Sequence, residues 1–171
     1  LQKYFKLNVF KVSIDDFYKT RKDRKSLSKN KHPLLMTRGV PGTHDIDLVL
    51  SFFKKIKDKN FKSLQIPRFN KAIDDRCSKN LWHKIKTKPD VVIFEGWCVG
   101  ARPQLNSELK KPVNSLEKVY DQEVKWRVHV NNQLKTKYKT LFNQLDGLLY
   151  LKAKNFNLLR EWRLKQERKL W

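Results

Sequence analysis

The sequence predicts an α/β domain with a mostly parallel sheet, on three observations. Short runs rich in β-branched and aromatic residues alternate with stretches of helical periodicity. One run, VVIF at residues 91–94, is unbroken and apolar between Pro89-Asp90 and Glu95-Gly96, as in a strand buried on both faces. A chain of 171 residues with 39% hydrophobic content suffices for one core, so a single domain is expected over residues 1–171.

Residues 7–14 (LNVFKVSI) read as the first strand, and it arrives without a start methionine. Residues 11–18 carry that strand into a turn, placing Asp15 and Asp16 at its carboxyl end, where open α/β sheets hold ligands. Residues 19–31 are charged and expected as a mobile loop, and residues 32–42, with two prolines and two glycines, as another. Asp45 caps a helix over residues 46–57, in which Leu48, Phe52 and Ile56 recur at helical spacing. A short strand at residues 63–66 ends at Pro67, and the apolar strand at 91–94 follows. Helices are expected at 115–123 and 125–143, a further buried strand at 145–151, and a basic helix from residue 155 still running at Trp171. Both termini read as cuts through a longer fold.

Composition narrows the partners without choosing one. Thirty-nine basic against 17 acidic residues give a formal charge of +22, which suits nucleic acid, an anionic membrane or phosphate-bearing ligands. The lysines are scattered, as at Lys54, Lys55, Lys57, Lys59 and at Lys135, Lys137, Lys139, which is the distribution of solvated faces. Trp82, Trp97, Trp126 and Trp162 fall within α/β elements and form no basic-aromatic repeat, which argues against a nucleic-acid-binding protein. Cys77 and Cys98 are far apart with no CxxC, so free thiols are expected and neither a disulfide nor zinc. No run of about 18 apolar residues and no secretory signal occurs, so a soluble, cytoplasmic protein without a membrane partner is expected.

Three segments carry candidate chemistry. SIDDFY, residues 13–18, sets two carboxylates at a strand end; they can cap a turn, or one can orient an alcohol and take its proton, the role expected of Asp15. DVVIFEG, residues 90–96, is an apolar strand ending in Glu95, which either caps the next turn or approaches a metal ion beside nucleotide phosphates. The loop around Gly39, Gly42, Thr43 and His44 offers close backbone approach to an anion and side chains that can hydrogen-bond hydroxyls or a carboxylate. Arg68, Arg76 and Arg102 are candidate cations for an anionic ligand, with Arg102 favoured because it follows the Glu95 strand end.

These segments, with HPLLMTRGVPGTHDIDL (32–48), IPRFNKAIDDR (66–76), DVVIFEGWCVGARPQ (90–104), WRVHVNNQL (126–134) and LREWRLKQE (159–167), resemble the D-glycerate kinase family. That family is a branch of the P-loop kinases that includes uridine kinase, phosphoribulokinase and bacterial pantothenate kinase. GVPGTHD and FEGWCVGARP are the specific part of the likeness. The resemblance implies a three-layer P-loop NTPase-like fold and transfer of a phosphoryl group from ATP, with Mg²⁺, to a hydroxyl of D-glycerate. It implies a catalytic base at Asp15 beside Asp16, metal contacts at Glu95 and Asp15, and acceptor contacts at Gly42, Thr43, His44, Arg68 and Arg102. Arg160 and Arg163 fall in a lid-like helix, where guanidinium groups can clamp phosphoryl oxygens, or else lie on a solvated surface.

One departure stands out: GxxxxGK[ST], the phosphate-cradling loop of such kinases, is nowhere in the chain. The first strand, phosphate loop and first helix are therefore expected to be missing, leaving a fragment with little ATP affinity by itself. Alternatives are a kinase for another small alcohol, uridine- or pantothenate-like, a catalytically inactive relative, or a basic nucleic-acid-binding protein.

Overall fold

The computed structural model describes residues 1–168; positions 169–171 of the expected C-terminal helix lie outside the described residues. A one-turn helix α1 (Gln2–Phe5) leads into β1 (Val9–Ser13) and a 3₁₀ turn (Ile14–Phe17). Helices α2 (Arg21–Asn30) and α3 (Ile46–Lys57) follow, and then four short strands: β2 (Leu64–Ile66), β3 (Phe69–Asn70), β4 (Asp75–Arg76) and β5 (His83–Ile85). After β6 (Val91–Glu95) the chain is helical in α4 (Ser115–Tyr120), α5 (Lys125–Gln133), α6 (Lys139–Phe142) and α7 (Phe156–Arg168). A π-helical turn (Leu134–Tyr138) joins α5 to α6, so the single helix expected over 125–143 is continuous but locally underwound.

The central feature is parallel pairing of β1 with β6, in register from Val9 opposite Val91 to Ser13 opposite Glu95. Asn8 fastens its start: the Asp90 amide donates to the Asn8 carbonyl at 2.9 Å, and the Asn8 amide to Asp90 Oδ2 at 2.8 Å. On this pair packs α3, whose Ile46, Val49, Phe52, Phe53 and Ile56 are buried against Val12, Ile14 and Phe17. Edge-to-face contacts of Phe17 with Phe52 and of Phe53 with Phe94 fix that packing. Asp45 caps α3 as expected, accepting the Leu48 amide at 3.2 Å. Beside this layer stand two antiparallel ladders, β2 with β5 and the hairpin β3–β4.

Three expectations are corrected. Residues 19–31 form α2 and no mobile loop, because the element is organised around a buried arginine that an apolar periodicity does not register. Thr20 caps it, accepting the Asp23 amide, and Arg24 is 0% exposed. Arg24 donates from Nε to the Lys19 carbonyl, from Nη1 to Met36 and from Nη2 to Asp74, whose carboxylate it also meets at 3.0 Å. Second, β6 is only half-buried, with Ile93 exposed, since among the described residues β1 is its one ladder neighbour. Third, residues 145–151 form no strand. An apolar run becomes a buried strand only beside another strand, and no described strand pairs with this one, so Leu148, Leu149, Tyr150 and Leu151 stand exposed.

Cys98 is buried and Cys77 half-buried, both free, and burial pushes the Cys98 thiol up to about 12. No helix among the described residues is long and apolar enough to cross a membrane.

Replacing Arg24 with Met keeps the packing volume but strips the donors from three carbonyls and from Asp74. We expect Arg24→Met to lower unfolding free energy by about 2–4 kcal/mol, read from a urea titration with an unchanged m-value.

Candidate functional site

Because β1 and β6 run parallel with Ser13 opposite Glu95, their carboxyl ends open on one rim. Ser13 caps the 3₁₀ turn beyond β1, its hydroxyl accepting the Asp15 amide at 3.3 Å, and so Asp15 projects from the turn at that rim. The turn after Glu95 passes hard against it: a Cβ on Gly96 would lie 2.3 Å from Ile14 Cγ2. Glycine at 96 is what lets the Glu95 and Asp15 segments approach.

Both Asp15 oxygens are engaged. Tyr18 Oη donates to Oδ1 at 3.0 Å, and Lys71 Nζ donates to Oδ2 at 2.8 Å. Tyr18 is buried between His44, stacked at 4.3 Å between ring centroids, and Phe69, so its hydroxyl is held in place. Burial and the neighbouring Asp15 charge push the Tyr18 phenol well above its ordinary value, which keeps it a donor. Asp16 turns the other way, accepting the Phe69 amide at 3.2 Å and tying β3 to the 3₁₀ turn. Partial burial raises its carboxyl above the usual range. With Arg68 it borders an open cavity of about 530 Å³ walled by Phe10, Trp82 and His83.

The 39–45 loop is strapped to the same turn. The Asp45 amide donates to the Phe17 carbonyl at 2.7 Å and the Lys19 amide to the Thr43 carbonyl at 2.9 Å. Inside the loop, Thr43 is buried, donating its hydroxyl to the Val40 carbonyl and accepting the Gly39 amide. Gly42 sits at φ +105° and donates its amide to Tyr138 Oη at 3.0 Å. The amides of Gly39 and Gly42 and the Thr43 hydroxyl, expected to face an acceptor, thus hold the loop together. Gly42 also packs against the His129 and Gln133 side chains, which a Cβ at this strained φ would crowd.

His44 is the loop residue with capacity to spare. Its Nδ1 lies 2.7 Å from Tyr138 Oη. With Gly42 donating to that hydroxyl, the arrangement that leaves fewest buried groups unpaired has Tyr138 donating to Nδ1 and the proton on Nε2. His44 Nε2 is buried without a partner. Burial lowers its pKa to about 4, outweighing the opposing pull of Asp15, so the ring is neutral.

The remaining candidates stand apart. Arg76 serves the scaffold, donating to the Tyr18 carbonyl and to Asp45 Oδ2. Arg102 is exposed. Arg160 and Arg163 lie on α7, which buries no residue; Arg163 pairs with Glu167 one turn along and neither arginine is brought to the Asp15 rim. Lys71 and Tyr138 were not anticipated from the sequence. Lys71 sits 56 residues from Asp15 and Tyr138 sits 94 from His44, so only the folded chain reveals the pairings.

No protein-family model matches the chain. It is 34% identical over 174 residues to an uncharacterized kinase of Schizosaccharomyces pombe, a match covering 95% of this chain and 60% of that protein. It is 30% identical over 166 residues to the chloroplastic D-glycerate 3-kinase of Arabidopsis thaliana, covering 91% of this chain and 34% of that protein. Among solved structures, D-glycerate 3-kinase from Cryptococcus neoformans superposes with a TM-score of 0.83 at 29% identity, over 99% of this chain and 62% of that one. The chain therefore spans less than two thirds of the length of these relatives.

The lowered His44 pKa carries a signed consequence. The unfolded chain takes up a proton near pH 6.5 that the folded chain refuses until about pH 4, so stability falls as pH drops through that window and is unaffected above it. Two-dimensional NMR of the imidazole is expected to show His44 untitrated between pH 8 and 5, with the proton on Nε2.

Proposed function

This chain is a homologue of D-glycerate 3-kinase and its related kinases and shares their α/β P-loop-kinase fold, and from that premise we propose that the complete protein transfers the γ-phosphoryl group of ATP to a hydroxyl of D-glycerate. The observation that carries this reading is the β1–β6 register, which sets the Asp15 turn and Glu95 on one rim.

In this reading Asp15 Oδ2 accepts the proton of the acceptor hydroxyl while that oxygen bonds to the γ-phosphorus and the bond from phosphorus to the ADP oxygen breaks. Tyr18, hydrogen-bonded to Oδ1, holds the carboxylate in orientation. Asp16 contributes by anchoring the hairpin that faces Asp15, and His44 supplies a neutral N–H donor for an acceptor oxygen. Arg102, downstream of Glu95, is the cation we assign to the acceptor side, whereas Arg68 lines a cavity with Asp16 that Asp15 does not border. Arg160 and Arg163 act on the phosphates only after α7 closes toward the rim.

Magnesium fits the donors present. It is commonly held by one or two carboxylates with waters and phosphate oxygens and needs no cage of protein ligands. The described residues contain no cluster of three metal-ligating side chains, and Glu95, half-buried at the strand end, is the carboxylate that would hold the ion, with Asp15 at the same rim. When bound, Mg²⁺ neutralises phosphate charge. The curated relatives are longer than this chain, and we place the cradle for the ATP phosphates in sequence beyond these residues, which form one kinase-like domain with it. Residues 1–171 alone are then inactive.

The test is ADP release by the complete protein with Mg-ATP and D-glycerate. Glycerate-dependent release is expected, with kcat reduced about 10²–10⁴-fold in Asp15→Asn and no release by residues 1–171 alone. Release that ignores D-glycerate, or that survives Asp15→Asn, would sink the reading.

A further inference from the structure

Among the described residues Lys71 is the one cation in direct contact with the Asp15 carboxylate. Its neighbours in the β3–β4 hairpin are pinned. Asp74, at the tip, pairs with the buried Arg24 and with Arg38; Asp75 Oδ1 accepts the Arg21 amide at 2.8 Å; and the Phe69 amide is held by Asp16. Arg24 and Arg38 also lie over the Phe69 ring, at 5.7 and 5.6 Å from its centroid. The hairpin backbone therefore has little freedom, whereas the Lys71 side chain, 61% exposed, has a great deal.

The two partners of Asp15 are unequal in consequence. Tyr18 is locked by its ring packing, so Oδ1 stays committed. Oδ2 is held by an exposed ammonium on a long side chain, in the kind of solvated ion pair that contributes little to stability. An alcohol that donates its hydroxyl to Oδ2 competes there with the exposed Lys71 ammonium and can displace it. Because the hairpin cannot retreat, the released ammonium stays within a side chain's reach of the alcohol. An acceptor bearing its own negative charge gives that ammonium a new partner; a neutral alcohol leaves it without one.

We propose that Lys71 exchanges Asp15 for the anionic group of the acceptor, and so makes the site selective for small hydroxy acids over neutral alcohols. This rests on the reading of Asp15 as the acceptor-binding carboxylate. Lys71 binds the acceptor and takes no proton in the reaction.

The experiment compares the complete wild-type protein with Lys71→Met and Lys71→Arg, using D-glycerate and its uncharged methyl ester as acceptors in ADP-release assays. It also measures D-glycerate binding by calorimetry without nucleotide. In Lys71→Met the KM and Kd for D-glycerate are expected to rise at least 10-fold, with kcat and the KM for ATP within about 3-fold. The preference for acid over ester should collapse, and Lys71→Arg should restore most of it. A purely structural lysine would shift both acceptors alike. Unchanged KM, or an intact preference for the acid in Lys71→Met, overturns the proposal while leaving the kinase reading standing. If wild type binds D-glycerate through Lys71 without turning it over, the kinase reading falls and this one stands. If wild type neither binds nor uses D-glycerate, both fall.

Discussion

Everything at the candidate site depends on the register of two parallel strands. Pairing Ser13 with Glu95 fixes where both chains leave the sheet, and a slip by one residue would turn every side chain of β1 to the opposite face. Val12 and Ile14 would leave the core that α3 covers, so the hydrophobic cost of burying the wrong set holds the register more firmly than the ladder hydrogen bonds do. The chemistry inherits its geometry from that packing. Glu95 faces the rim because Val92 and Phe94 pack inward, and Gly96 is required because Ile14 already occupies the adjoining space.

Around this layer the chain uses charge where a larger core would use apolar surface. With 39 bases and 17 acids, carboxylates are the scarce partner, and several act as hubs. Asp74 gathers Arg24 and Arg38; Asp45 caps α3 and receives Arg76; Asp121 accepts the Trp126 and Arg127 amides together with the Arg127 side chain at 2.9 Å. The buried cations are arginines, as the physics favours, since a planar fork of donors satisfies several carbonyls and carboxylates at once while an ammonium does not. No described lysine is buried, and those that pair, such as Lys71 with Asp15 and Lys137 with Asp47, do so at the surface.

How much of this was legible follows from where each signal lies. The helix over residues 46–57, its Asp45 cap and the strand-to-turn passage at Asp15 were readable because cap, periodicity and β-branching are local. Residues 19–31 were misread because their buried anchor is Arg24, and residues 145–151 because a run of leucines reports burial only where a partner strand exists. Within the site, the positions of Asp15 and Glu95 followed from strand ends. The Lys71–Asp15 and Tyr138–His44 contacts did not, since each joins segments that carry no mutual pattern in the sequence.

The division of labour inside the site also follows from burial. Thr43 and Gly42 look like ligands in sequence because small and polar residues are what ligands contact, yet each has its hydrogen-bonding groups engaged by the fold. A buried polar group must be satisfied before any ligand arrives, so the residues most firmly placed are the least able to bind. Capacity remains on the buried His44 Nε2 and on the Asp15 oxygen whose partner is a solvent-exposed lysine. The fold thus holds one carboxylate oxygen through the buried Tyr18 and the other through an exposed lysine, an asymmetry that suits the acid-base role proposed for Asp15.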